Sequence, residues 1–180
     1  MTEVPLSSCY RLLGHGPVLL VSTRGLLHPN VAPIAWHSPF DRDPPQFLLT
    51  ISSGHATFEN LLREGELVLN VPGPDLASAV LAAGRVSAHE VPDKFSHLGL
   101  RALPSARVSA PRVEGCLAWI ECRLVDESLA RSQEIVRVEA VRAETVEGAW
   151  SEGFLDIERF PTLHHLGGSR LGVLRSLLPS

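Results

Sequence analysis

Gly115–Glu144, GCLAWIECRLVDESLARSQEIVRVEAVRAE, holds two long runs of alternating apolar and polar residues, and the flaw in the second run decides the fold. In the first, Cys116, Ala118, Ile120, Cys122 and Leu124 alternate with Trp119, Glu121 and Arg123, the period of a strand buried on one face. Cys116 and Cys122 are then expected on the same face but ~20 Å apart, too far to bridge. In the second run Val136 and Val138 alternate with Arg137 and Glu139, but the next outward residues are Arg142 and Glu144. A three-residue step inside a two-residue period marks a β-bulge near Ala140. Bulges bend sheets, so this hairpin predicts a curled sheet or barrel.

The flanking chain agrees with that expectation. Residues 1–16 read as a lead-in, helical or irregular around Tyr10–Leu13, and Pro17–Val21 as a buried strand. An extended run from Asn30 to Trp36 comes next, and Asp41-Arg42-Asp43-Pro44-Pro45 then breaks the chain, because prolines neither join ladders nor extend helices. Gln46–Ile51 is a strand, 56–63 a short helix stopped by Gly65, and 66–71 a strand. Asp75 opens a helix to Ala83, a loop-rich section runs to about Pro111, and 160–168 forms a last short strand and loop before a tail at 173–180. Roughly six strands with two short helices and no βαβ rhythm predict one mainly β domain over 1–180, a closed antiparallel barrel with helices at its rim.

The stretch Asn30–Asn60 carries the candidate site. Ser52-Ser53-Gly54 precedes a helix start, where about four backbone N–H groups lack partners and small residues let a phosphate approach. Thr57 adds a hydroxyl one turn in. An equally direct reading makes Ser53 an N-cap and Thr57 an ordinary helix residue. Asn30 and Trp36 lie ~20 Å apart on extended chain and are spaced to flank a long flat ligand.

Other chemistries lack their residues. The chain has 180 residues, 44% hydrophobic and 20% charged, with a net charge of −4 and no cluster of cations, which argues against a nucleic-acid surface. No run suits a membrane span, and the acidic start lacks a basic leader region, so a cytoplasmic location is expected. The eight histidines include no HEXXH pattern, and His164 and His165 would face opposite ways on an extended chain, so no metal is expected. There is no Gly-x-Ser-x-Gly elbow, no Walker loop, and the Gly14-His15-Gly16 segment runs into proline rather than a helix. His37, beside Trp36, is the histidine to test for a proton-handling role, against the simpler reading of a loop or surface histidine.

Taken in order, Pro17-Val18-Leu19-Leu20-Val21-Ser22-Thr23, Asn30-Val31-Ala32-Pro33 with Trp36, Asp43-Pro44-Pro45, Ser52-Ser53 to Thr57-x-x-Asn60, Asn70-Val71, Asp93-Lys94-Phe95 and His165-Leu166-Gly167-Gly168 resemble the flavin reductase-like family, in particular its flavoredoxin branch. The resemblance implies a split β-barrel of Greek-key type that works as a homodimer with FMN at the subunit interface. It implies an NAD(P)H:flavin oxidoreductase, with NADH or NADPH as co-substrate and a redox protein or monooxygenase as a further partner. The alternative is a non-catalytic FMN-binding electron carrier. By the same resemblance Asn30 and Trp36 contact the flavin, as do Ala32, Ala35 and Ile51, while Ser52, Ser53 and Thr57 hold its phosphate and Lys94 supplies positive charge. Asn60 and Asn70 read instead as polar residues satisfying nearby backbone. The chemistry is then borne by the flavin, with no catalytic side chain required. Two positions depart from the family: Arg131-Ser132-Gln133 stands where relatives carry a histidine, and Leu171 where they often carry an aromatic residue.

Overall fold

The computed structural model describes residues 1–7, 9 and 16–178. The reading around Tyr10–Leu13 lies outside them. Its strands are β1 (Thr2–Glu3), β2 (Leu19–Thr23), β3 (Asn30–Ile34), β4 (His37–Arg42), β5 (Pro45–Thr50), β6 (Glu66–Pro72), β7 (Ala102–Leu103), β8 (Arg112–Val113), β9 (Cys116–Asp126), β10 (Ile135–Thr145), β11 (Trp150–Ser151), β12 (Phe154–Leu155), β13 (Thr162–Gly167) and β14 (Arg170–Leu174). The helices are α1 (Ala56–Glu64), α2 (Ala77–Ala83), α3 (Lys94–His97) and α4 (Glu127–Gln133), with a 3₁₀ turn at Pro74–Leu76 leading into α2.

One antiparallel sheet runs β3-β2-β6-β9-β10-β5-β4, with β1 also on β10. The expected closed barrel is corrected here: among the described residues no sheet closes on itself by hydrogen bonds. The two ends of the path, β3 and β4, follow one another in sequence with only Ala35 and Trp36 between them. The sheet therefore curls until its first and last strands are one continuous piece of chain. Strands lying end to end cannot exchange ladder hydrogen bonds, so the ring is completed covalently while the ladder stays open.

The bulge expected near Ala140 is present, as a register shift between Ala140 and Arg142 against β9. A second shift falls between Arg137 and Val138. The one-face burial expected for β9 is corrected: Trp119 and Glu121 are also buried. Leu19, Val21, Phe47, Leu49, Leu69 and Ile120 fill the core inside the curl. Leu20, Val68, Trp119, Val80 and Phe95 form a second core on the outer face, where α2 and α3 cover the sheet. A further shift between Val71 and Pro72 reverses the phase at the start of β9. Cys116 thus joins the outer core and Cys122 the inner one, on opposite faces rather than the same face.

β4 and α4 are the longest of the elements that went unread in the sequence, which also include α3 and several two-residue strands. β4 continues the extended run beyond Trp36, and Pro39 is tolerated because β4 is an edge strand whose ladder shifts between Pro39 and Asp41. The connection between the long strands is the helix α4, begun by the Asp126 carboxylate, which accepts from the Ser128 N–H at 2.8 Å. The chain end also differs from expectation, since β13 and β14 form a hairpin and strand structure runs to Leu174.

Asn70 ties the framework together. Fully buried on β6, it donates from Nδ2 to the Leu20 carbonyl (2.6 Å) and the Ser22 hydroxyl (3.0 Å), and its Oδ1 accepts from the Val113 N–H (2.7 Å). The reading of Asn70 as a backbone-satisfying residue holds. For Asn60 the same reading is corrected: its partners are side chains, Thr23 Oγ1 on β2, to which it donates at 3.1 Å, and Arg63, from which it accepts at 2.9 Å.

Candidate functional site

β3 is the edge of the sheet over which α1, α2 and α3 converge, and a cleft of about 340 Å³ opens between them. Asn30 and Ala32 of β3, Thr57 of α1, Ala83 at the end of α2 and Lys94 of α3 all line it. The segment from Gly84 to Ala88 and the carboxylate-bearing Glu90 form its outer wall.

Each side chain is placed by local structure. Asn30 is 3% and Thr57 2% exposed, and Asn30 Nδ2 donates to Thr57 Oγ1 at 2.8 Å. That bond uses an acceptor site of the threonine, so its O–H remains available to a ligand. α1 is amphipathic, with Phe58 and Leu61 buried, and ends where Gly65 adopts φ 71°, its N–H bonding the Leu61 carbonyl at 2.8 Å. At the other end its N-cap is His55, and no side chain caps the helix. The first amides of α1 therefore present their positive end to the cleft.

Lys94 begins α3, whose cap is Asp93: its carboxylate accepts from the Ser96 N–H at 3.1 Å and the Ser96 hydroxyl at 2.7 Å. With Phe95 anchored in the outer core, the lysine reaches back beneath α2 and is only 3% exposed. Its ammonium donates to the Ala83 carbonyl at 3.0 Å, and no carboxylate lies within ion-pair distance among the described residues. Burial pushes this ammonium down to about 8. It is the sole lysine of the chain, held inside with two of its three donors unused among the described residues.

Four of the residues named from sequence, Asn30, Ala32, Thr57 and Lys94, thus meet in one cleft. Ile51, Ser52 and Ser53 lie outside its lining. Ile51 is 1% exposed in the inner core, its N–H on the Glu134 carbonyl at 3.0 Å. The donors of the two serines turn to the Glu134 carboxylate: Ser53 N–H at 2.6 Å and Ser52 Oγ at 3.3 Å. Those bonds, from Ser53 first, hold the Glu134 carboxyl below the usual carboxylate range. Glu134 itself closes α4 at φ 60°, a left-handed position more often given to glycine. Ser53 is therefore not the N-cap of α1; it anchors the turn before α1 to the end of α4.

Ala35 lines a neighbouring groove of about 280 Å³, bounded also by Val18, Val80, His165, Ser169 and Leu171. The two depressions share Pro33, Gly84 and Arg85. A side chain at Gly84 would crowd this partition, since a Cβ there would stand 3.2 Å from Pro33 Cγ. Trp36 is 74% exposed at the turn from β3 into β4. His37 lines neither depression. Its Nε2 donates to the Pro17 carbonyl at 2.6 Å, its Nδ1 is buried without a partner among the described residues, and burial pushes its pKa below the ordinary value.

Sequence reading missed His55, Gly84 and Arg85. His55 was hidden by the Ser-Ser-Gly run before it. An arginine just past a predicted helix end reads as a partner for the helix dipole, so nothing marked Arg85. Among the described residues no cluster of histidine, cysteine, aspartate and glutamate is arranged to hold a metal ion, and no helix is long and apolar enough to cross a membrane.

The chain is 31% identical over 173 residues to the uncharacterized protein YddH of Escherichia coli K12, covering 91% of this chain and 89% of that protein. Its fold is similar to that of an FMN-binding domain of a flavin reductases-like enzyme from Shewanella baltica OS155, with a TM-score of 0.93, 24% identity and coverage of 99% and 96% of the two chains. It is also similar to the flavoredoxin of Desulfovibrio vulgaris (Miyazaki F), with a TM-score of 0.80, 22% identity and coverage of 92% and 90%. The family model of the flavin reductase like domain matches residues 13–168, most of the length, and the chain accordingly belongs to that family.

Proposed function

We propose that the chain is an FMN-dependent oxidoreductase that passes electrons from NADH or NADPH to flavin, as a homodimer with FMN between the two copies. One observation carries this reading: a buried ammonium without a counter-ion faces an uncapped helix start across one cleft. A buried lone charge is costly, and a phosphate monoester is the ligand chemistry that would offset it.

The residues present fit FMN. The free O–H of Thr57, the first amides of α1 and the unused protons of Lys94 are donors suited to a phosphate dianion. From there β3 leads past Ala32 and Pro33 to Ala35 and Trp36, an extended run of ~20 Å along which a flat ring would lie. Trp36 offers an apolar surface at its far end, and its 74% exposure suits coverage by a second copy. When bound, FMN supplies a ring that accepts hydride, so the protein has to hold and orient it. Asn30 contributes by fixing the Thr57 hydroxyl, and Gly84 by letting α2 pack against Pro33 behind the ring path. No proton-transfer role is given to His37, whose Nε2 is committed to Pro17.

The test begins with the visible spectrum of the protein reconstituted with FMN and freed of excess flavin by gel filtration. A yellow protein that bleaches anaerobically on addition of NADH or NADPH is the expected result. Yellow protein that neither nucleotide bleaches removes the nicotinamide reading and leaves an electron carrier; colourless protein removes the flavin reading altogether.

A further inference from the structure

β5 ends at Thr50, opposite Ile135 of β10, and α1 begins at Ala56. Backbone bonding carries the strand pairing one residue further, from the Ile51 N–H to the Glu134 carbonyl at 3.0 Å. Beyond it lies the exposed turn Ser52-Ser53-Gly54, closed on itself by the His55 N–H, which donates to the Ser52 carbonyl at 3.1 Å. Among the described residues, the Glu134 side chain is what ties that turn to the rest of the fold by hydrogen bonds. Its Oε1 accepts from both the Ser53 N–H (2.6 Å) and the Ser52 hydroxyl (3.3 Å). The strands are already fastened by backbone, so these bonds fix the turn and, through it, the place where α1 starts.

Glutamate is a poor fit to this position on two other counts. The backbone stands at φ 60° and ψ 19°, where glycine or asparagine is the ordinary residue. The carboxyl is held below the usual carboxylate range by the bonds from Ser53 and then Ser52, so a negative charge stands next to a turn that leads into a phosphate site. Both counts disfavour glutamate unless the reach of its side chain is needed. We propose that Glu134 is a positioning residue for the flavin phosphate: by holding Ser53 and Ser52 it sets the direction in which the first amides of α1 meet the cleft. Glu134 does not itself line that cleft. This role rests on the FMN reading, and it gives the two serines an indirect part in place of the direct phosphate contact that the resemblance implies.

Dissociation constants for FMN and riboflavin, measured in wild type, Glu134→Gly, Glu134→Asn and Glu134→Gln, provide the test. Glycine and asparagine suit the left-handed backbone and cannot reach the serines; glutamine keeps an oxygen acceptor at the same reach without the charge. A carboxylate acting only through its charge would make all three variants bind FMN more tightly, since each removes a negative group near an anion. Positioning predicts opposite signs. Glu134→Gly and Glu134→Asn are expected to lose about tenfold of the preference for FMN over riboflavin, with riboflavin affinity within about threefold of wild type. Glu134→Gln is expected to keep or exceed the wild-type preference. A glycine or asparagine variant that keeps the preference overturns the proposal, as does one whose affinity for both flavins falls together, and so does a Glu134→Gln protein that loses it. A wild-type protein without the preference removes the phosphate assignment and this role with it; where wild type shows the preference, the variants decide on Glu134 alone.

Discussion

Lys94→Met is expected to stabilise the flavin-free protein and, in the same molecule, to weaken FMN binding by about 10- to 100-fold. The two effects have one origin. Burial pushes the Lys94 ammonium down to about 8 from the ordinary lysine value, so holding it protonated at pH 7 costs on the order of 3 kcal/mol. For a base whose folded pKa is lowered, that cost is fully present below pH 8 and fades as the pH climbs towards the unfolded value. Methionine keeps most of the apolar stem and removes the charge, while the Ala83 carbonyl loses its donor, so a net gain of about 1–2 kcal/mol, or a Tm higher by about 2–8 °C, is expected at pH 7 and none near pH 10. With flavin present, the lost charge-assisted bonds to phosphate, worth ~1.5–3 kcal/mol, set the opposite sign. In the wild-type protein FMN affinity should likewise fall as the pH rises through 8, and that fall should vanish in the variant. Thermal melts with and without FMN, and fluorescence titrations from pH 7 to 10, measure all of these. A Lys94→Met protein that loses stability without flavin, or retains full FMN affinity, contradicts the assignment.

Asn70→Ala should produce the largest loss of stability among polar substitutions, about 3 kcal/mol, seen as a Tm lower by roughly 6–12 °C. Asn70 joins β6 to β2 through the Leu20 carbonyl and Ser22, and receives the Val113 N–H of β8. Truncation leaves that N–H and part of the Leu20 carbonyl's bonding unsatisfied in a site with no exposure, at ~1–3 kcal/mol for each orphaned group. Asn70→Asp should be worse at neutral pH despite its equal size, because a second acceptor would then face the Leu20 and Val68 carbonyls. Urea unfolding curves give the magnitudes. FMN affinity of the folded Asn70→Ala protein should stay within about threefold of wild type, since none of these contacts reaches the cleft.

Strand identity was legible where burial enforced a period. Val136 to Glu144 showed its bulge because one outward-facing set of charges slipped by a residue, and any residue-level pattern with one wet face records such a slip. Burial on both faces of β9 was not legible, because Trp119 is amphipathic enough to read as outward and the outer core that covers it comes from α2 and α3, distant in sequence. Nor was the open ladder: that β3 and β4 form opposite ends of one sheet depends on pairings with β2 and β5, and nothing local to Ala35-Trp36 reveals it. In the site, Asn30 and Thr57 were singled out by spacing and chemistry and Lys94 by resemblance, and the structure brings the three to one cleft. Ser52 and Ser53 have the chemistry of an anion site, yet a carboxylate at the start of the neighbouring strand β10, Glu134, takes their donors. A partner 81 residues away in sequence leaves no trace in the motif.

The central claim is that the cleft beneath α2 grips a phosphate through Lys94, Thr57 and the start of α1. The most direct measurement is a pair of dissociation constants at pH 7, one for FMN and one for riboflavin, which differ only in that group. FMN binding at least ~100-fold tighter, with most of the gap lost in Lys94→Met, is the predicted result. Equal affinity for the two flavins would contradict it.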